Sequence, residues 1–291
     1  MAGESGILTR VRALELVAQR NVSSLYSGNY VTTVRGSGME FNEARHYSEG
    51  DPERHIDWNM TARLDEPFVR TYLEEREREV IVAVDVSASM HSGWQERSKL
   101  ETAMELAATL GLSAIEAGDR LGFLTFHERV VDFSRPLGGR RQLYTFLRAL
   151  AGQQQAPPPR TRVSDPRAAI HAIQSLRGRR FVVFLISDFI DHDVPDDLRF
   201  IGQRHDVSLV HVYDPFEYAG PGPVRLLAMA PEGPTQARSV PPDASGSLEA
   251  MQRFLAEAGA RHGLLTVSVS TQAPVGRTLS DFFHRKQQWI R

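Results

Sequence analysis

Two rhythms of apolar residues alternate along this chain. The first is a short unbroken run, seen at residues 80–86, 121–126, 180–188, 207–213 and 264–269. Runs of that length, rich in Val, Ile, Leu and Phe, predict strands covered on both faces. The second is helical spacing. Leu100, Ala103, Met104, Ala107, Leu110, Ala114 and Ile115 mark one face of a helix over 99–117, with Gly118 placed to close it. Helices are also predicted over 141–150, over 166–176 with Pro166 in the first turn, and over 247–262 ahead of Gly263. Residues 278–290 form an amphipathic segment, and 130–133 read as a short edge strand. Strands and helices in alternation predict an α/β fold: a doubly wound, mostly parallel, Rossmann-like sheet with helices on both faces.

The first 79 residues follow no such alternation. Leu8, Val11, Leu14, Leu16 and Val17 suggest an amphipathic helix over 8–20. Residues 26–38 are rich in Gly, Ser and Thr and read as a loop with a small strand or hairpin near 30–34. Residues 36–63 mix dense charge with isolated aromatics, and Asp51, Arg54, Asp57 and Arg63 are expected to form a salt-bridge network. His46 and His55 lack metal-ligand spacing and read as structural. Residues 68–73 alternate apolar and polar, as a half-buried strand does, and the mixed-charge run 74–79 reads as a solvated face. The expectation is therefore a small β-rich accessory module with a helix over 1–79, followed by the α/β domain over 80–291. Within that domain 153–159 reads as a loop, and the Pro- and Gly-rich 215–242 as a hairpin excursion.

Composition narrows the function classes. The 291 residues carry a net charge of −2, so no global electrostatic case exists for nucleic acid or a membrane surface. The chain has no cysteine, which excludes disulfides and Cys-based zinc sites. No apolar run approaches the roughly 20 residues of a membrane span, and residues 1–6 lack a signal-peptide pattern, so a cytoplasmic location is expected. Lys99 and Lys286 are the only lysines; the other basic residues are arginines, a bias ascribed to genomic base composition.

The candidate chemistry sits where the central run ends. Asp85, Ser87 and Ser89 place a carboxylate and two hydroxyls at alternating positions just past a buried strand. The run at 180–188 also ends in an acid, Asp188. A third loop before the 166–176 helix offers further hydroxyls, among them Thr161 and Ser164. In a parallel sheet all three loops lie at the carboxyl ends of the strands, where ligands bind. Hard oxygen donors with few carboxylates suit Mg2+, whose shell is octahedral at about 2.0–2.1 Å and retains several waters; Mn2+ and Ca2+ are alternatives.

Asp-x-Ser-x-Ser after the first strand, a hydroxyl loop, and an Asp after a later strand resemble the metal-ion-dependent adhesion site of von Willebrand factor A domains. The resemblance implies a metal held by Asp85, Ser87, Ser89, Ser164 and Asp188, with an open position for a partner's carboxylate. Here Ser164-Asp165 stands where that family has Thr-Asp. Upstream, Arg35-Gly36-Ser37-Gly38-Met39-Glu40-Phe41, Arg45-His46-Tyr47, Gly50-Asp51, Arg54-His55-Ile56-Asp57-Trp58 and Ala62-Arg63 follow at close intervals. They resemble the bacterial family called domain of unknown function fifty-eight, in which this signature precedes a von Willebrand A-like domain. Members are commonly encoded beside MoxR-type AAA+ ATPases, which implies an adaptor role.

The expected function is thus a non-enzymatic, metal-dependent protein–protein interaction module whose partner is a MoxR-type ATPase or its client. Two alternatives come from other classes. A metal-dependent phosphohydrolase could use Asp85 as phosphoryl acceptor, but Ser87 stands where a haloacid-dehalogenase pattern needs a second acid. A nucleic-acid-binding module could use the basic spots at 139–141 and 177–180, which exposed loop charge also explains.

Overall fold

The computed structural model describes residues 2–27, 40–48, 51, 56–64, 66–73, 77–93, 97–155, 164–177, 180–190, 197–218 and 248–290. The strand predicted near 30–34, Arg54, His55, Thr161 and all of the 215–242 excursion beyond Tyr218 lie outside them. The chain divides into two compact units, one of residues 32–77 and one of residues 1–31 with 78–291.

The chain opens with α1 (Ala2–Ser27), and the smaller unit follows with β1 (Glu40–His46), α2 (Trp58–Leu64) and β2 (Phe68–Leu73). β1 and β2 pair antiparallel from Glu40↔Leu73 to His46↔Phe68, with a bulge between Phe41 and Glu43. Of the residues expected to form a charge network, Asp51 and Asp57 each make a described local contact. Asp51 takes both guanidinium nitrogens of Arg45, at 2.8 and 2.7 Å. Asp57 caps α2, accepting the amides of Asn59 at 3.0 Å and Met60 at 3.2 Å. A carboxylate there satisfies helix-end amides that would otherwise lack a partner.

The larger unit continues with β3 (Glu79–Asp85), α3 (Lys99–Glu116), β4 (Arg120–Phe126), β5 (Val130–Leu137), α4 (Arg140–Gln155) and α5 (Pro166–Gln174). β6 (Phe181–Ser187), α6 (Leu198–Arg204), β7 (Asp206–Tyr213), α7 (Leu248–His262), β8 (Leu265–Ser270) and α8 (Val275–Ile290) complete it. The strands form one six-stranded sheet in the order β5-β4-β3-β6-β7-β8, all parallel except the edge strand β5. This is the mixed α/β architecture with a mostly parallel sheet that the apolar runs predict.

Alternation along the central strand divides the core. Val80, Val82 and Val84 join α3, α4 and α8 on one face, while Ile81 and Ala83 join α5, α6 and α7 on the other. Gly118 and Gly263 close α3 and α7 with φ of 80° and 70°, the left-handed conformation that favours glycine. Predicted loop residues 153–155 extend α4, and α1 outruns its predicted 8–20 span at both ends.

The boundary expected at residue 79 differs at α1. This helix packs on α3, α4 and α8 and belongs with the large sheet. Its buried Val11, Ala18 and Val22 join that core cluster, and Asn21 donates to Glu105 Oε1 at 2.9 Å and Thr109 Oγ1 at 3.1 Å on α3. Its apolar stripe finds an apolar surface there, at about 1.5–3 kcal/mol for each fully buried aliphatic side chain larger than alanine.

Candidate metal centre

One rung of the sheet is polar from β3 to β8. One step beyond the Val84↔Ile186 pair, Asp85 lies beside Ser187, which pairs with His211, which pairs with Ser268. Ser187 donates to Asp85 Oδ2 at 2.6 Å, and His211 Nδ1 lies 3.1 Å from Ser268 Oγ.

Asp85 is fully buried, and each of its oxygens is engaged. Oδ2 also accepts Ser164 Oγ at 2.6 Å, and Oδ1 accepts the Ser87 amide at 2.8 Å. Ser164 is delivered by the start of α5: the Asp165 amide donates to the His127 carbonyl beyond β4, and the Asp165 carboxylate caps the helix at the Arg167 amide. Ser87 Oγ lies 3.1 Å from Ser89 Oγ, and the Ser89 hydroxyl donates to Asp188. Buried Met90 anchors the short 3-10 turn Ser89–His91. The structure therefore brings all five predicted residues together: Asp85, Ser87, Ser89, Ser164 and Asp188. Ser89 is half-buried and the other four are buried.

The backbone beyond β6 is strained at this point. Phe189 is buried with φ of 51°, a conformation that L side chains rarely adopt and that costs about 1–3 kcal/mol. Its amide donates to Ser187 Oγ at 3.1 Å, which holds the turn against Asp85's neighbour.

Asp188 meets a cation that belongs to the chain. Lys99, the first residue of α3 and wholly buried, places Nζ 2.8 Å from Asp188 Oδ2 and 2.5 Å from Glu217 Oε1. Glu217 lies on the 3-10 turn Pro215–Tyr218 beyond β7 and also accepts Ser92 Oγ at 3.2 Å. Burial alone would push the Lys99 ammonium down, but Asp188 and then Glu217 hold it above the usual lysine range.

The two aspartates titrate apart. Burial and then the nearby Asp188 charge push Asp85 up to about 6, against the hydrogen bonds from Ser164, Ser187 and the Ser87 amide. Burial also pushes Asp188 up, but the charge and hydrogen bond of Lys99 outweigh it and hold Asp188 below the usual carboxylate range. Burial raises Glu217 and lowers His211 to about 4, so His211 is neutral near pH 7.

A family described as "Protein of unknown function DUF58" matches residues 43–237. The chain belongs to this family. Proteins of Mycobacterium bovis and Mycobacterium tuberculosis, each bearing the name uncharacterized protein, are 33% identical to this DUF58 chain over 206 residues. That match covers 70% of this chain and 64% of theirs, so it spans less than two thirds of their length. Among solved structures, the conserved hypothetical protein BatB from Bacteroides thetaiotaomicron aligns with a TM-score of 0.48 at 19% identity, over 72% of this chain and 99% of that one. An aerotolerance-related membrane protein from Bacteroides fragilis aligns with a TM-score of 0.47 at 18% identity, over 73% and 98%.

Three groups of this candidate site escape the sequence pattern: Ser187, Lys99 and Glu217. Ser187 is hidden as the last residue of an apolar run. Glu217 sits in a segment whose Pro and Gly content suggests only a turn. Lys99 did carry a signal, since a chain otherwise using arginine has just two lysines. Both are buried and paired, Lys286 with Asp206 at 3.1 Å and with Ser208 Oγ at 3.2 Å. An ammonium is a compact point charge, and a planar guanidinium is not its equivalent in a closed pocket.

The donor set suits a small hard cation. Among the described residues, no three His, Cys, Asp or Glu side chains converge as a metal-ligand group. Any ion here would thus rely on the hydroxyls of Ser87, Ser89 and Ser164, with the carboxylates of Asp85 and Asp188 behind or beside them. Each hydroxyl keeps a lone pair while donating its proton. Asp85, Asp188 and Glu217 against Lys99 leave an excess of two negative charges in this cluster, the charge of one divalent cation. Against that stands Lys99, which already compensates Asp188.

Proposed function

We propose that this chain is a non-enzymatic interaction module in which a partner's Asp or Glu completes a Mg2+ site. The observation that carries the reading is the convergence of Asp85, Ser87, Ser89, Ser164 and Asp188 from three separate loops at one sheet edge. The strand order, the antiparallel edge strand and the motif's position after the central strand support a von Willebrand factor A-like reading of the fold. Mg2+ would neutralise Asp85, whose hydrogen bonds among the described residues come from serines and not from a cationic side chain. The half-buried Ser89 gives the side from which a visiting acid would arrive. The family resemblance supplies the partner: a MoxR-type AAA+ ATPase or its client, in the cytoplasm.

The phosphohydrolase alternative is weaker, because both Asp85 oxygens already accept hydrogen bonds and neither is presented as a nucleophile. The test is Mg2+ titration by calorimetry together with partner capture. Asp85→Ala is expected to weaken Mg2+ binding by at least about tenfold and to abolish Mg2+-dependent capture, with circular dichroism unchanged. Capture that is indifferent both to chelator and to Asp85→Ala would refute the reading.

A further inference from the structure

Glu217 is the charged member of the cluster for which the proposed metal site has no use. It is unequally held. Oε1 meets Lys99 at 2.5 Å and Ser92 at 3.2 Å, whereas Oε2 is buried with no hydrogen-bond partner among the described residues. Asp188, the other acid on the same ammonium, is held at both oxygens: Oδ2 by Lys99, and Oδ1 by the Ile190 amide at 3.4 Å, with the Ser89 hydroxyl in addition. A buried acceptor without a donor is a standing cost, so of the two acids Glu217 is the one more easily exchanged.

Exposure points the same way. The Lys99 and Asp188 side chains are 0% and 1% exposed, while Glu217 keeps 9%. Its neighbour Phe216 turns outward at 44% exposure. Among the described residues the turn carrying both is held by the Phe216 amide donating to Asp214 Oδ1 at 2.9 Å, the Glu217 amide donating to the Asp214 carbonyl at 3.0 Å, and the Tyr218 ring edge-on to Tyr213.

We propose that Glu217 is a displaceable resident acid, and that Lys99 is a seat for a visiting carboxylate, an Asp or Glu side chain of a partner protein. The visitor takes the place of Glu217 on the Lys99 ammonium as the Pro215–Tyr218 turn moves outward, and Phe216 is the surface beside it. The exchange replaces one carboxylate by another, so the charge of the buried cluster is conserved. This inference rests on the acid-capture reading for the chemistry of the visitor, but it assigns the acid to Lys99 and not to a metal ion. As a tethered competitor, Glu217 is present at a high effective concentration, which makes the closed state the default.

The experiment uses the full chain and acetate as probe, at constant ionic strength against chloride and against the neutral isostere acetamide. Binding is followed by NMR, in EDTA and separately with Mg2+. Glu217→Ala empties the seat and is expected to bind acetate at least about tenfold more tightly than wild type, without Mg2+ and with no response to acetamide. Adding Lys99→Met should abolish that binding. Acetate should also speed amide exchange at Phe216 and Glu217 in the wild type. If Glu217→Ala does not fold, Glu217→Gln keeps the shape without the charge and should show the same preference more weakly.

Folded Glu217 variants that ignore acetate, or that bind it only with Mg2+, overturn the inference. Acetate binding in EDTA by a protein that takes up no Mg2+ upholds it and removes the metal reading. Mg2+ uptake without acetate binding in EDTA does the reverse.

Discussion

Lys99 occupies a place where its residue type is locally disfavoured. The first turn of a helix carries the positive end of the backbone dipole, and a buried ammonium there adds like charge. Only its two acids offset that. Removing one side of a buried ion pair leaves the other as uncompensated charge, at a cost of about 3–5 kcal/mol. Lys99→Met is therefore expected to lower the unfolding free energy by about that amount, read from the urea midpoint at unchanged slope. Glu217→Gln in the same background should return part of the loss, because one of the two stranded charges is then gone. A Lys99→Met protein as stable as wild type would show that the trio is not a coupled unit. At this scale the sequence is least readable. Asp85, Ser87 and Ser89 form a local pattern, but Lys99, Asp188 and Glu217 are distant in the chain and meet only because α3, β6 and the turn after β7 end at one edge.

His205 joins two elements and shows how the sheet's other end is held. It follows α6, accepts the Phe181 amide at Nδ1 at 3.2 Å, and stacks on the Phe181 ring with centroids 4.8 Å apart. Burial, then Arg204 and Arg180, push it down to about 4. The folded protein thus binds fewer protons than the unfolded chain between pH 4 and the ordinary histidine value of 6.5. Its contribution to stability is present above that window and is lost as pH falls through it. Asp85 has the opposite sign: raised to about 6, it favours the fold below its ordinary value, and that contribution is lost as pH rises through 6. The two would blur a single acid titration, so the expectation is framed as a difference. The stability gap between wild type and His205→Asn should be larger at pH 6.5 than at pH 4.5 in urea unfolding. Equal gaps at the two values would show that His205 does not titrate as described. Helices were legible at this scale where apolar spacing came with an end signal, as at Gly118 after α3 or Pro166 at the start of α5. The seven-residue α6 and α2 were not, since neither is long enough to establish a period.

The larger unit is built on one sheet, and a helix packed over its α3, α4 and α8 comes from the start of the chain. α1 is separated in sequence from the sheet it serves by the unit of residues 32–77. A fragment starting at Arg78 would keep every strand of the large sheet but uncover the apolar surface of α3, α4 and α8 that Val11, Ala18 and Val22 cover. Such a fragment is expected to melt several degrees below the full chain and to bind a hydrophobic dye, checked by calorimetry and fluorescence. Equal melting temperatures would show that α1 is dispensable to the unit. The predicted boundary at residue 79 failed here for a physical reason: an amphipathic stripe says that a helix needs a partner surface, but does not say which one.

The sequence by itself determined the alternation of buried strands and helices, the parallel character of the sheet, and the Asp85-Ser87-Ser89 motif at the end of its central strand. These follow from residues close in the chain, whose spacing fixes backbone period and hence side-chain direction. Tertiary structure alone decided what surrounds the motif. Which hydroxyls reach Asp85, that a lysine stands beside Asp188, that Glu217 shares it, and that α1 covers the sheet's helices are all set by strand order and layer packing. Those contacts join positions tens to more than a hundred residues apart, and no local period carries them.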